Sequence, residues 1–177
     1  MNTVSKGDAF ENRVYKVLKS LLENEELPLN RQRTRVLQKQ KYYSPIQQGG
    51  IIFDISIESY MPNAKEYSSL WLIECKDYKS PIEVDKIRNF KKQIEEVGGH
   101  KGLFFATSRF QSGAIASAAS YGIGLVVMDA EDNISWKTRR ISSSGKPYYH
   151  IKNLNDIIGE DENNSIIITL RKEKEAS

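Results

Sequence analysis

The chain has one cysteine, Cys75, and two histidines, His100 and His150. One cysteine excludes an internal disulfide and a cysteine-rich zinc site. Two histidines leave too little material for the histidine-based metal nuclease motifs. No run of apolar residues approaches the roughly 18 needed for a transmembrane helix, and Met1-Asn-Thr-Val-Ser-Lys6 lacks an apolar signal core. The chain therefore reads as soluble and cytoplasmic, in a reducing compartment, with no membrane partner. No Gly-x-x-x-x-Gly-Lys segment occurs, so any use of ATP has to come from a partner ATPase or helicase. Neither sign of charge is scarce. Lys and Arg number 26 against 23 Asp and Glu, and the net charge of +3 permits a nucleic-acid partner without demanding one.

What is present is enough apolar material, 39% of 177 residues, for one domain with a sizeable core. Phe10, Val14, Val17, Leu18, Leu21 and Leu22 recur at helical spacing and predict a helix over 6–23, with Ser5 and Asp8 as its capping box. Residues 31–43 read as a polar strand with Arg31, Arg33, Arg35, Lys39 and Lys41 on one face. Gly49-Gly50 reads as a turn, and strands follow at about 51–59 and 69–76. Ser80-Pro-Ile-Glu83 has the capping-box pattern with proline at the first helical position. The helix it opens carries Val84, Ile87, Phe90, Ile94 and Val97 and stops at Gly98-Gly99. A buried strand at 102–107, a small-residue helix at 112–121 and a buried strand at 125–128 complete the pattern. Strand, helix, strand, helix, strand argues for an α/β fold, a central mixed β-sheet flanked by helices. Farther on, Ile134–Arg140 and Tyr148–Ile151 can pair across Ser142–Gly145, and 166–170 reads as one more strand.

The residues that carry chemistry lie where charge interrupts apolar strands. Trp71-Leu-Ile-Glu74-Cys-Lys76 ends an apolar strand, and alternation puts Glu74 and Lys76 on one face with Cys75 on the other. An acidic residue two positions before a lysine is a weak signal by itself, and Asp77-Tyr-Lys79 is a second such pair. Asp54 adds context. It interrupts Ile51-Ile-Phe-Asp-Ile-Ser-Ile, whose odd positions are all apolar, and 19 residues separate it from Glu74, enough for a long hairpin. Neighbouring strands would bring two carboxylates and one lysine to one site, which suits a hard cation and phosphodiester hydrolysis. The bland alternative is a half-exposed strand with ordinary polar residues outside. Glu11, beside Val14 and Leu18, reads from the residues alone as a boundary glutamate on its helix. Arg31, Arg33 and Arg35 form one basic patch and Lys137, Arg139 and Arg140 another. They suit phosphate contacts, or else a solvated edge strand protected by charge.

Gly7-Asp-Ala-Phe10-Glu11, Asp54, Glu74-Cys-Lys76, Phe90, Gly102–Thr107, Phe110, Ala114, Gly122-Ile-Gly-Leu125 and Asp129, in this order, resemble the PD-(D/E)XK nuclease superfamily. The nearest resemblance is to the Mrr-type restriction endonuclease catalytic domain. It covers about residues 6–129 and implies a restriction-endonuclease-like core, placed at 1–129; the strand pattern after Asp129 reads as a C-terminal β-rich extension of the same domain, 130–177. The resemblance implies a DNA endonuclease dependent on Mg²⁺, with Mn²⁺ as substitute, acting in defence against foreign DNA. Asp54 matches the first metal-binding aspartate, Glu74 the second ligand and Lys76 the catalytic lysine. The carbonyl of Cys75 matches a further ligand, and Glu11 the first-helix glutamate that can join the site. Phe53 stands where the superfamily name has proline, and no separate recognition domain is evident. Two other functions stay open: a structure-specific nuclease resembling Holliday-junction resolvases, and a non-catalytic DNA-binding subunit of a larger complex. Cutting both strands with one site per chain would be easiest in a homodimer.

Overall fold

The apolar segments become the centre of one mixed sheet. The computed structural model describes residues 3–137 and four short strands beyond them, with side chains from Gly7 to Lys137. Strands β1 (Thr34–Ser44), β2 (Gly49–Ser59), β3 (Ser69–Lys76), β4 (Lys101–Ala106), β5 (Gly124–Met128) and β6 (Ile134–Trp136) lie side by side in that order. The pairs β1–β2, β2–β3 and β5–β6 are antiparallel, whereas β3, β4 and β5 run parallel. Parallel neighbours need crossovers. Helix α2 (Val84–Glu96) joins β3 to β4, and α3 (Ser112–Tyr121) joins β4 to β5. Helix α1 is Thr3–Glu23. Beyond β6, β7 (Arg140–Ile141) and β8 (Pro147–Tyr148) pair with each other. Strands β9 (Ile157–Glu160) and β10 (Ile166–Thr169) continue the main sheet past β6. No described helix is long and apolar enough to cross a membrane.

Each face of the sheet has its own apolar layer. On one, Phe10, Val14 and Leu18 of α1 meet Ile73, Cys75, Phe105 and Val126. On the other, Ile87, Phe90 and Ile94 of α2 and Ala114 and Ala118 of α3 meet Leu70, Leu72, Phe104 and Leu125. Strand β3 alternates between the layers as the pleat requires. Strand β2 does not keep to one layer, contrary to the single apolar face expected of its odd positions. Phe53 and Ile51 join the α2–α3 layer, while Ile55 and Ile57 join the α1 layer. On β1, Val36 and Tyr42 divide in the same way. The hairpin thus turns its apolar side from one layer to the other between Phe53 and Ile55. The step it turns on is Lys39 opposite Asp54, the one opposed pair missing from an otherwise unbroken ladder.

Several local expectations are corrected. Helix α1 starts at Thr3, so Ser5 and Asp8 lie within it rather than capping it. Ser80–Glu83 does not open α2 with a capping box: Glu83 is the N-cap, and its side chain makes no cap bond. Instead Ile82 is fully buried and bridges Phe110, donating its N–H to the Arg109 carbonyl and accepting from Gln111 N–H. Burial of Ile82 outweighs the capping preference. Gly49 and Gly50 are strand residues, and the turn is at 45–48. The Lys41 side chain lies where a Cβ on Gly50 would stand, so a larger residue there would displace it. Strand β1 begins at Thr34. Arg31–Arg33 form a 3-10 turn instead, capped by the Asn30 side chain, which accepts from Gln32 N–H. Of the pairing expected between 134–140 and 148–151, only Arg140 opposite Tyr148 forms, in the antiparallel β7–β8 pair, because Ile134–Trp136 is taken by β5 and β10.

Phe90 holds the α2–α3 layer together. It is 1% exposed and meets the Phe53 and Phe104 rings edge-on at centroid distances of 6.4 and 5.7 Å. Phe90→Ala should therefore cost about 3–5 kcal/mol, read as a lowered urea midpoint. A loss below about 1 kcal/mol would show that the layer repacks around the cavity.

Candidate active site

The β2–β3 ladder runs from Ser59–Ser69 to Ile55–Ile73 and stops. The next residue on each strand is acidic, Asp54 on β2 and Glu74 on β3. Beyond that point β3 stays paired to β4, through Lys76–Ala106, so its last residues are held from one side only. The gap between the diverging strands is spanned by a side chain. Asp54 Oδ2 accepts the Cys75 backbone N–H at 2.9 Å. A carboxylate taking a strand N–H satisfies a donor that burial would otherwise make costly. Glu74 and Lys76 share one side of β3, as alternation predicts, and form an ion pair. Asp54 Oδ1 lies 3.2 Å from Lys39 Nζ, and the same ammonium pairs with Glu11 of α1. Asp54, Glu74, Lys76 and Glu11 are thus gathered at one notch, and Lys39 joins them.

Lys39 is the residue that sequence reading did not single out for this site. In the sequence it is one of the odd-numbered basic residues of 31–43, and nothing local marks it. Only the register of the β1–β2 hairpin puts it opposite Asp54. Its backbone is left-handed, φ +52°, which costs a non-glycine residue of order 1–3 kcal/mol and tends to persist where the surroundings over-determine it.

The charges perturb one another. Burial pushes the Glu74 carboxyl above its ordinary value, with Lys76 opposing and Asp54 adding to the rise. Glu11 is also raised, chiefly by burial, against the pull of Lys39. Burial would lower the Lys76 ammonium, but the Glu74 and Asp54 carboxylates together with Tyr78 outweigh it and the net shift is upward. Lys39 behaves the same way with Glu11 and Asp54 as its partners. Lys76 at rest is therefore a cation, suited to holding negative charge rather than accepting a proton. Burial pushes the Cys75 thiol well above its usual range. The sulfur lies in the α1-side layer, leaving the Cys75 carbonyl as that residue's available donor.

The donor set suits a hard divalent cation in kind, since all three acids offer carboxylate oxygens. Glu11 Oε2 is buried against the Lys39 ammonium and has no other polar partner. Among the described residues no three acidic, histidine or cysteine side chains stand close enough to hold an ion as they are. The Lys39 ammonium stands between Glu11 and Asp54, and Lys76 is paired with Glu74, so the two lysines occupy the space among the acids.

The basic residues lie elsewhere. Arg33 and Arg35 line an open groove of about 550 Å³ with Tyr60 and Lys65, and Arg35 stacks on the Tyr60 ring at 5.1 Å. Arg35 is four residues along β1 from Lys39, about 13 Å from the notch. Arg31 turns toward Glu25, 3.5 Å away. The backbone N–H of Lys137 bonds the Leu125 carbonyl. Arg139 and the side chain of Arg140 lie outside the described residues. Asp129 does not reach the notch. It closes the β5–β6 turn by accepting from the N–H groups of Glu131 and Asn133. The Arg13 guanidinium ties this turn to α1 through Asp132.

No curated protein matches the chain in sequence. A solved structure described as a protein of unknown function, AF1548, is similar with a TM-score of 0.47 and 16% identity. The similarity covers 65% of this chain and 56% of that one, so the chain spans little more than half of that protein's length. The profile of the Mrr catalytic family, described as a restriction endonuclease, matches residues 34–136. That span takes in β1 through β6, with Lys39, Asp54, Glu74 and Lys76, and begins after the helix that bears Glu11. The match covers more than half of the sequence, and the chain belongs to the Mrr-type restriction endonuclease catalytic family of the PD-(D/E)XK superfamily, a family of nucleases.

Proposed function

We propose that the protein is a metal-dependent DNA endonuclease that hydrolyses phosphodiester bonds, in an Mrr-like defence role. The observation that carries this reading is the convergence of Asp54, Glu74 and Lys76 where β2 and β3 part. Asp54 and Glu74 would hold Mg²⁺, or Mn²⁺ in its place, with the Cys75 carbonyl as a further donor and Glu11 beside them, paired with Lys39. A divalent cation bound there would neutralise charge on the phosphate and acidify water. Cys75 N–H fixes one oxygen of Asp54, which leaves the carboxylate little freedom to swing out of the notch. Lys76, kept cationic by Glu74, orients the attacking water and stabilises negative charge on the phosphate. Arg33 and Arg35, which line an open groove, would hold the DNA backbone away from the reacting bond. Such contacts carry no sequence preference and weaken with salt. One site per chain cuts one strand, so breaking a duplex would call for a second copy.

Cleavage of supercoiled plasmid tests the proposal. Wild type with Mg²⁺ or Mn²⁺ should nick or linearise it, and EDTA should stop the reaction. Asp54→Asn keeps an acceptor for Cys75 N–H but loses the charge, and Lys76→Met keeps the bulk but loses the ammonium. Each should lower the rate by about 10²–10³ with the fold retained. Full activity in either variant, or cleavage in EDTA, would sink the assignment. Folded wild type that binds DNA equally well with and without metal, and never cuts, would favour the non-catalytic subunit.

A pH dependence follows from Glu74. Its carboxyl is raised above the ordinary glutamate value of 4.5, so protons compete with a cation at higher pH than at an exposed glutamate. Mn²⁺ affinity plotted against pH should bend downward on acidification at a pH above 4.5. The bend should disappear in Glu74→Gln along with part of the affinity. A bend unchanged by that substitution would assign the proton to another group.

A further inference from the structure

Lys39 is costly where it stands. It takes a left-handed backbone in the middle of an 11-residue strand, φ +52°. It interrupts the β1–β2 ladder at one position without shifting the register. Both features serve one outcome: the ammonium reaches the space between Glu11, on α1, and Asp54, on β2. Glu11 Oε2 has no other partner, and the side chain is only 12% exposed. A buried carboxylate facing a second one, with nothing between them, would repel it across a poorly screened gap. The ammonium supplies the missing positive charge.

We infer that Lys39 is an internal counter-ion of the cation site, its ammonium standing between Glu11 and Asp54 and withholding Glu11 from a bound divalent ion. This rests on the proposed assignment of Asp54 as a metal-binding residue and goes beyond it. The ammonium and a divalent ion draw on the same carboxylate, so each weakens the hold of the other. Glu11 is then a reserve donor, silent while Lys39 is paired with it and able to coordinate once Lys39 withdraws. The protein keeps its acids together without metal, at the expense of cation affinity. The neighbouring Lys41, exposed and packed over Gly50, has no such role.

The test is Mn²⁺ binding, followed by electron paramagnetic resonance, together with thermal melting in EDTA. Lys39→Gly is the variant of choice because glycine accepts φ +52° without strain, so loss of the ammonium is separated from damage to the strand. Lys39→Met is the second variant, and Lys41→Met controls for removing a positive charge from the same strand. Lys39→Gly and Lys39→Met should bind Mn²⁺ at least about tenfold more tightly, a change of about 1.4 kcal/mol, whereas Lys41→Met should change affinity little. Glu11→Gln should barely affect affinity in wild type and weaken it strongly in the Lys39→Gly background. In EDTA, Lys39→Met should melt below wild type, and adding Glu11→Gln should recover part of the loss. Mn²⁺ binding by the Lys39 variants but not by wild type would also support the inference. Wild-type binding that depends on Asp54 but is unchanged in both Lys39 variants would overturn the counter-ion and leave the metal site standing. Absence of binding in every variant would overturn both.

Discussion

The bond from the Cys75 backbone N–H to Asp54 Oδ2 is the contact on which the rest of the site depends. It forms where the β2–β3 ladder has ended, and it replaces a main-chain bond with a side chain from the neighbouring strand. That exchange lets the strands part without leaving the donor unmet, and the space it opens is where Glu74 and Lys76 project. The order of the chain makes this economical. Strand β3 sits between an antiparallel neighbour that leaves early and a parallel neighbour, β4, that stays to Lys76, so the end of β3 is rigid yet accessible.

The same step organises the two apolar layers. Ile55 and Ile57 pack under α1 while Ile51 and Phe53 pack under α2 and α3, and the change of side falls at Asp54. Phe53 is almost fully buried and touches the Phe90 and Tyr42 rings. The acid is therefore flanked along its own strand by side chains anchored in opposite layers. Motion of Asp54 would require both layers to shift, which close-packed interiors resist. Functional groups are best positioned by residues that packing has already fixed.

Electrostatically the notch is balanced internally. Three acids meet two lysines, and burial raises Glu74 and Glu11 while the lysines are held as cations by the carboxylates beside them. Removing one partner of such a cluster leaves the other charge partly buried and unpaired, which costs more than the pair itself contributes. The acids and lysines of the notch thus compensate one another.

The sequence by itself determined the α/β order, the identity of most strands and the candidates Asp54, Glu74 and Lys76. Apolar periodicity is local, and a charge that ends an apolar strand stands out against it. Glu11 was visible only through the family resemblance, because a glutamate at the edge of a helical stripe looks the same whether it faces solvent or a cation. Lys39 was hidden among the basic residues of β1. Its role depends on pairing with a residue fifteen positions away, and register is a long-range property. The change of side at Asp54 was equally hidden, since Ile51, Phe53, Ile55 and Ile57 keep one parity whichever layer they enter. Arg31 and Arg33 share the alternate spacing of β1, yet the Asn30 cap holds them in a 3-10 turn. Local pattern decided which segments form strands and helices. Only the tertiary structure decided where the hairpin turns over and which lysine faces which acid, because both follow from competition between two helical layers for the same strands.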